Sequence, residues 1–212
     1  METNITPKPL MQNTNFKLFW LGRMFSGMAY QMTAVAVGWQ IYAITGNVLY
    51  LGLVGLAQFL PMFILTLPVG HVADRYNRRL IICACQITQA AGVFFLAAGS
   101  HGNWLTKASI LAVVTAMGAS HAFENPTMNA LMPGLVDEKE LPRAAAAAAS
   151  SMQTSFIIGP ALGGILYAFG AVVVYVSAGA LLAAAALMIF IIKHLHRAKK
   201  HEQVTLKSVF AG

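Results

Sequence analysis

The sequence predicts an all-α integral membrane protein, a bundle of six transmembrane helices. Hydrophobic residues make up 58% of the 212 residues and charged residues only 10%, whereas a soluble domain carries about 25% charged residues. Lys, Arg, Asp and Glu are absent from four segments, positions 24–73, 80–106, 108–123 and 144–192. A membrane-spanning helix needs about 20 apolar residues. The two long segments therefore hold two helices each and the two shorter ones hold one each, which excludes a water-soluble domain.

Short polar or glycine-containing segments separate the predicted helices. Residues 1–15 form a polar tail, and the membrane domain covers residues 16–192. The six helices are predicted at about 16–44, 48–72, 80–98, 105–128, 144–167 and 172–192. Residues 193–212 form a basic tail at the other end of the chain.

Lysine and arginine predict the orientation of the bundle. Of the 14 Lys and Arg residues, only Lys107 falls at one set of helix ends, and all the others fall at the opposite set or in the tails. Cytoplasmic loops of membrane proteins carry this excess of positive charge. Both termini are therefore expected in the cytoplasm, next to membrane lipid. The cations are spread over separate loops, which argues against a nucleic-acid partner.

The loop between predicted helices 2 and 3 has the sequence GHVADRYNRR. Its spacing singles out Gly70, Asp74, Arg75, Arg78 and Arg79. The glycine lets a neighbouring helix approach closely, the aspartate can cap a helix or pair with a cation, and the arginines anchor the cytoplasmic side. Asn77 tolerates left-handed backbone geometry and is expected in a tight turn.

This spacing resembles the signature loop of the major facilitator superfamily. NPTMNALMPGLVDEKELPRAAA is similar to the loop between helices 4 and 5 in the branch of drug:proton antiporters and enterobactin exporters. The resemblance covers the whole chain as the amino-terminal half of a twelve-helix transporter, a half built from 3+3 inverted repeats. It implies that the signature loop gates the passage between two halves.

Helix 5 contains a cluster of small residues and a proline. The cluster comprises Gly159, Pro160, Gly163 and Gly164. Glycines four residues apart let two helix backbones pack closely, and an internal proline bends a helix. Two interpretations stay open, an ordinary packing interface or the antiporter motif that the cluster resembles in exporters of the superfamily.

Polar residues inside membrane helices are candidates for function. Helix 1 carries a polar arc of about 100° that is expected to face a central cavity, made of Arg23, Ser26, Tyr30, Thr33 and Gln40. Gln31 lies off this arc. Arg23 has the alternative of extending to the lipid headgroups. In helix 2, Gln58 either binds substrate or packs against a neighbouring helix.

Helix 4 ends with the only carboxylate that lies inside a predicted helix, Glu124. His121 lies three residues earlier and can share its face. The resemblance implies that Glu124 pairs with an arginine of the signature loop as a structural latch. The alternative is that Glu124 carries a proton, with His121 as a relay.

The chain contains no HExxH, GxSxG or P-loop motif, so it is not expected to be an enzyme. The resemblance implies a proton-coupled exporter of small organic molecules, of the drug or siderophore type, that works by alternating access in a bacterial inner membrane. No cofactor or metal is expected, and the proton is the expected coupling ion. The expected partners are a small-molecule substrate and a carboxy-terminal half or second copy. A truncated inactive fragment and a non-transport scaffold or sensor are the alternatives.

Overall fold

The structure of the protein, a computed structural model, describes residues 10–192 without the side chains of residues 66–74. Six α-helices form an all-α bundle over this range. They are α1 (Thr14–Thr45), α2 (Leu49–Arg75), α3 (Arg78–His101), α4 (Lys107–Leu131), α5 (Leu141–Tyr167) and α6 (Ala171–Ile191). The tail predicted at 193–212 and most of the tail predicted at 1–15 lie outside the described residues.

Helix α1 makes extensive contacts with two other helices, α5 and α6. Helix α3 packs against both α6 and α4, and α2 packs mainly on α4. A large cluster of buried apolar side chains, including Met32, Val93 and Tyr175, joins α1, α3 and α6. A second cluster, including Phe19 and Ile189, lies at the end of the bundle where α1 begins. Van der Waals packing of these side chains holds the described helices together.

The observed helix ends differ from the predicted ones by at most three residues. The tight left-handed turn expected at Asn77 is wrong, because this residue has a φ of −64° and its side chain accepts a hydrogen bond from the backbone N–H of Arg79. Asn77 is therefore the N-cap of α3, and the helix begins earlier than predicted. Helix α5 also begins earlier, since Pro142 fits a first helical turn, where no intrahelical N–H bond is needed.

Helices α1 and α5 cross at two of the glycines singled out in the sequence. A Cβ atom at Gly159 would lie 2.7 Å from a side-chain atom of α1, and one at Gly163 would lie 3.0 Å from a backbone atom of α1. Gly164 faces open space, with no atom within 4 Å of an added Cβ. The packing interpretation therefore applies to Gly159 and Gly163, and Pro160 lies inside the same helix.

Helices α2 and α4 approach each other closely at Gly118. A Cβ atom there would lie 2.9 Å from the Cα atom of Gln58 and still closer to the carbonyl oxygen of Gln58. The contact is between two backbones, so neither helix can relieve it by moving a side chain. The contact involves the backbone of Gln58, so both roles considered for its side chain stay predictions.

Two of the described helices, α3 and α6, are long and apolar enough to cross a membrane by length and composition alone. The other helices include stretches rich in polar residues, such as the His121–Asn125 stretch of α4 and Ser150–Thr154 of α5. Several of those polar side chains point into the bundle rather than outward. The six helices agree with the prediction, and two of them meet this criterion among the described residues.

Candidate functional site

The main polar site of the described structure surrounds the carboxylate of Glu124, which is 3% exposed. Its Oε1 accepts hydrogen bonds from the Ser26 hydroxyl at 2.6 Å and from Nε2 of Gln86 at 2.9 Å. Its Oε2 accepts a hydrogen bond from Nε2 of Gln89 at 2.7 Å. Helices α1, α3 and α4 each supply part of this site. Three neutral donors thus satisfy a buried group that would be costly to leave unpaired.

His121 lies beside this carboxylate on the same helix. Its Nδ1 is 3.9 Å from Oε2 of Glu124, too far for a hydrogen bond but close enough for charge interaction. Its ring stacks on Tyr30 with 4.2 Å between ring centroids, and its Nε2 lies 2.9 Å from the amide nitrogen of Asn125. The ring is therefore held from both sides, at a fixed distance from the acid.

A cavity of about 70 Å³ opens next to Glu124 and His121. Tyr30, Met128 and Phe156 are among the residues that line it. Arg23 also lines the cavity, where it donates a hydrogen bond from Nη1 to the side-chain oxygen of Asn129 at 2.9 Å. The cavity therefore has apolar walls together with one acid, Glu124, one cation, Arg23, and one histidine, His121.

The chain matches a family whose model is described as transmembrane secretion effector, over residues 5–212. The chain belongs to this family. Transmembrane secretion effectors are part of the major facilitator superfamily, so the resemblance seen in the sequence is confirmed. Membership places the chain among membrane transporters rather than enzymes, as the sequence predicts.

The relatives of this chain include efflux proteins and transporters. Macrolide efflux protein A of Streptococcus pyogenes is 26% identical over 152 residues, 72% of this chain and 38% of that protein. Enterobactin exporter EntS of Salmonella choleraesuis is 31% identical over 160 residues, 74% of this chain and 38% of that protein. The Staphyloferrin A transporter of Staphylococcus aureus is 22% identical over 135 residues. The matched part of the chain thus spans 38% of the length of the first two of these relatives.

Among the described side chains, no ion pair joins Glu124 to an arginine of the signature loop, so the latch pairing stays a prediction. Arg78 donates a hydrogen bond to the carbonyl oxygen of Ala130, and Arg79 donates one to the carbonyl oxygen of Ile192. Ala130 is six residues beyond Glu124, which is about 9 Å along the helix axis. Glu124 lies too deep in the bundle for these arginines.

The rest of the signature loop is only partly described. Arg75 is exposed at the end of α2. The side chains of Gly70 and Asp74 lie outside the described residues, so the gate role of this loop in the transmembrane secretion effector stays a prediction.

The structure places the polar residues of α1 in different surroundings. Arg23, Ser26 and Tyr30 line the cavity beside Glu124. Thr33 instead donates a hydrogen bond to the carbonyl oxygen of Ala29 within α1. Gln40 donates a hydrogen bond to Ser100 and accepts one from Tyr175, so it ties α1 to α3 and α6. The polar residues of α1 extend along the helix beyond the cavity, and Gln40 contacts other helices instead.

Two residues of the site were missed in the sequence, Gln86 and Gln89. Both are fully buried on α3, three residues apart and on one face of the helix. The sequence feature that could have identified them is a pair of amide side chains in a segment without charged residues. Gln31, which was placed off the polar arc, also lines the cavity.

Proposed function

We propose that this chain is one half of a secondary transporter that exports small organic molecules from the cell in exchange for protons. Family membership supports the transporter class. The relatives, which are named for macrolide efflux, enterobactin export and staphyloferrin A transport, support small organic substrates of the drug or siderophore type. The chain matches only part of each relative, so the activity belongs to the complete protein.

The burial of Glu124 without a contacting lysine or arginine among the described residues is the observation that carries proton coupling. An acid at membrane depth is costly as a charge and is rare unless it has a function. Neutral donors favour the ionised carboxylate less strongly than a contacting cation would, so the carboxylate can still gain and lose a proton as conditions change. Of the two roles considered for Glu124, these contacts favour proton carriage. The test is whether substrate leaving through the protein drives protons the other way.

Alternating access requires a second six-helix body that moves against this one. Helices α2 and α5 each present large exposed apolar side chains, among them Phe59 and Phe63 on α2 and Phe156 and Ile157 on α5. Such a surface suits a partner bundle and the surrounding lipid. The partner is a carboxy-terminal half or a second copy of this chain. An inactive fragment would carry the same surface without a partner.

We expect six membrane spans with both termini in the cytoplasm, because all but one of the Lys and Arg residues fall on one side. Single cysteines at Val48, Trp104 and Phe169 should react with an impermeant thiol reagent added from outside the cell. All three positions are exposed. They are chosen in place of nearby residues with positive φ, at which a cysteine would be strained. The measurement is the labelled fraction in intact cells.

The matched control is a cysteine at Glu138, in the loop between α4 and α5, which should be labelled only after the cytoplasmic side is opened. Cys83 and Cys85 are both buried and are replaced by alanine in the parent protein. Labelling of any of the three outer positions from the cytoplasm alone would contradict the orientation.

A further inference from the structure

In each of the two glutamines beside Glu124, the amide nitrogen forms a hydrogen bond and the amide oxygen does not. Gln86 and Gln89 are both 0% exposed, and each donates its Nε2 to the carboxylate. The Oε1 atoms of both side chains are buried and have no hydrogen-bond partner. Buried polar atoms without a partner are uncommon in folded proteins and call for an explanation.

We propose that Gln86 and Gln89 are positioning residues that serve Glu124 in both of its protonation states. This inference rests on the proposed proton-carrying role of Glu124. An ionised carboxylate only accepts hydrogen bonds, so it requires the amide nitrogens to face it, as they do here. A protonated carboxyl group also has an O–H donor, which requires an acceptor. Rotation of one amide by half a turn presents its unused Oε1 to that donor.

The chemical step is simple and balanced. One proton adds to a carboxylate oxygen of Glu124, and the new O–H donates to the Oε1 of the rotated glutamine. The Nε2 that turned away then faces the direction in which Oε1 had pointed. No electron moves and no covalent bond breaks, apart from those of the proton being transferred. A fixed cation in place of the amides would favour only the ionised form.

Other groups face the same carboxylate and must be separated from the amides by experiment. Among the described residues, His121 lies on the same helix, Arg23 and Tyr30 lie on α1, and Cys85 lies on α3. Arg23 and Cys85 interact with Glu124 electrostatically, without a hydrogen bond to it in the described structure. The glutamines differ from all of these because they contact the carboxylate oxygens directly.

The experiment is an infrared titration of the complete natural protein in lipid. The carboxyl C=O band that disappears in Glu124→Gln belongs to Glu124, and its intensity against pH gives the midpoint of protonation. We expect Gln86→Met and Gln89→Met each to raise this midpoint by about one pH unit, because a hydrogen bond to the ionised carboxylate is stronger than the one that the rotated amide accepts from the protonated carboxyl group. In the double variant, the band should also move to the higher wavenumber of a carboxyl without an acceptor.

Gln153→Met is the matched control, because Gln153 is exposed on α5. If the methionine variants do not fold, Gln86→Asn and Gln89→Asn keep an amide that is too short to reach and should shift the midpoint in the same direction. An unchanged C=O wavenumber in the double methionine variant overturns the proposal, because no acceptor has then been removed. The lack of any pH-dependent band from Glu124 also overturns it. The titration needs no transport, so it fails or succeeds separately from the proposed exporter function.

Discussion

Glu124→Gln in the complete protein is expected to abolish substrate accumulation driven by a pH gradient while leaving substrate exchange across the membrane largely intact. Glutamine imitates the permanently protonated acid. Substrate exchange needs no change of protonation, whereas coupled transport needs protonation and deprotonation in each cycle. We expect coupled accumulation to fall to the level of vesicles without the protein. The measurement compares the two transport modes in the same liposomes.

The surroundings of Glu124 make this substitution mild for folding. An amide at position 124 can accept from one of the two α3 glutamines and donate to the unused Oε1 of the other. Glu138→Gln is the matched control, because Glu138 is exposed in the loop before α5. If exchange and coupled transport slow together in Glu124→Gln, Glu124 is a structural latch and the proton-carrying role is wrong.

Gly118→Leu is expected to destabilise the bundle by about 3 kcal/mol, the upper part of the usual range for overpacked cores. An added side chain at this position would meet the backbone of Gln58 on α2, and a backbone cannot rotate away. Helix α2 packs mainly on α4, so separating the two removes most of the contacts that hold α2 in the bundle. The measurement is thermal unfolding in detergent, followed by helix content.

Gly164→Leu provides the comparison, because the space around this glycine is empty. It should unfold at nearly the wild-type temperature, even though the same residue is introduced into a helix of the same bundle. Equal losses of stability in both variants would show that intrinsic helix effects, rather than the α2–α4 contact, decide the result.

The order and approximate ends of the helices could be predicted because charge is so sparse in this chain. Four segments without charged residues located all six helices, because each of the two long segments holds two helices. The capping role of Asn77 could not be predicted, since asparagine serves equally well in a left-handed turn and at a helix start. The choice between them depends on where α3 begins to pack.

The site was predictable only where charge marked it. Glu124 and His121 stood out as ionisable residues within an apolar segment, and Arg23 and Tyr30 followed from the polar arc of α1. Gln86 and Gln89 carry no charge, and their role appears only when α3 is placed against α4. Gln40 shows the opposite error, because a polar arc on a helix can face other helices as well as a cavity.

The most direct test of the account is the movement of protons that accompanies substrate. Liposomes that contain the complete protein and a pH-sensitive dye are loaded with a macrolide or with enterobactin and diluted into substrate-free buffer without a pH gradient. If the protein exchanges substrate for protons through Glu124, the lumen should acidify as substrate leaves, and Glu124→Gln should release substrate without acidification. Substrate efflux from the wild-type protein without a change in lumenal pH, or equal acidification in the variant, would contradict the account.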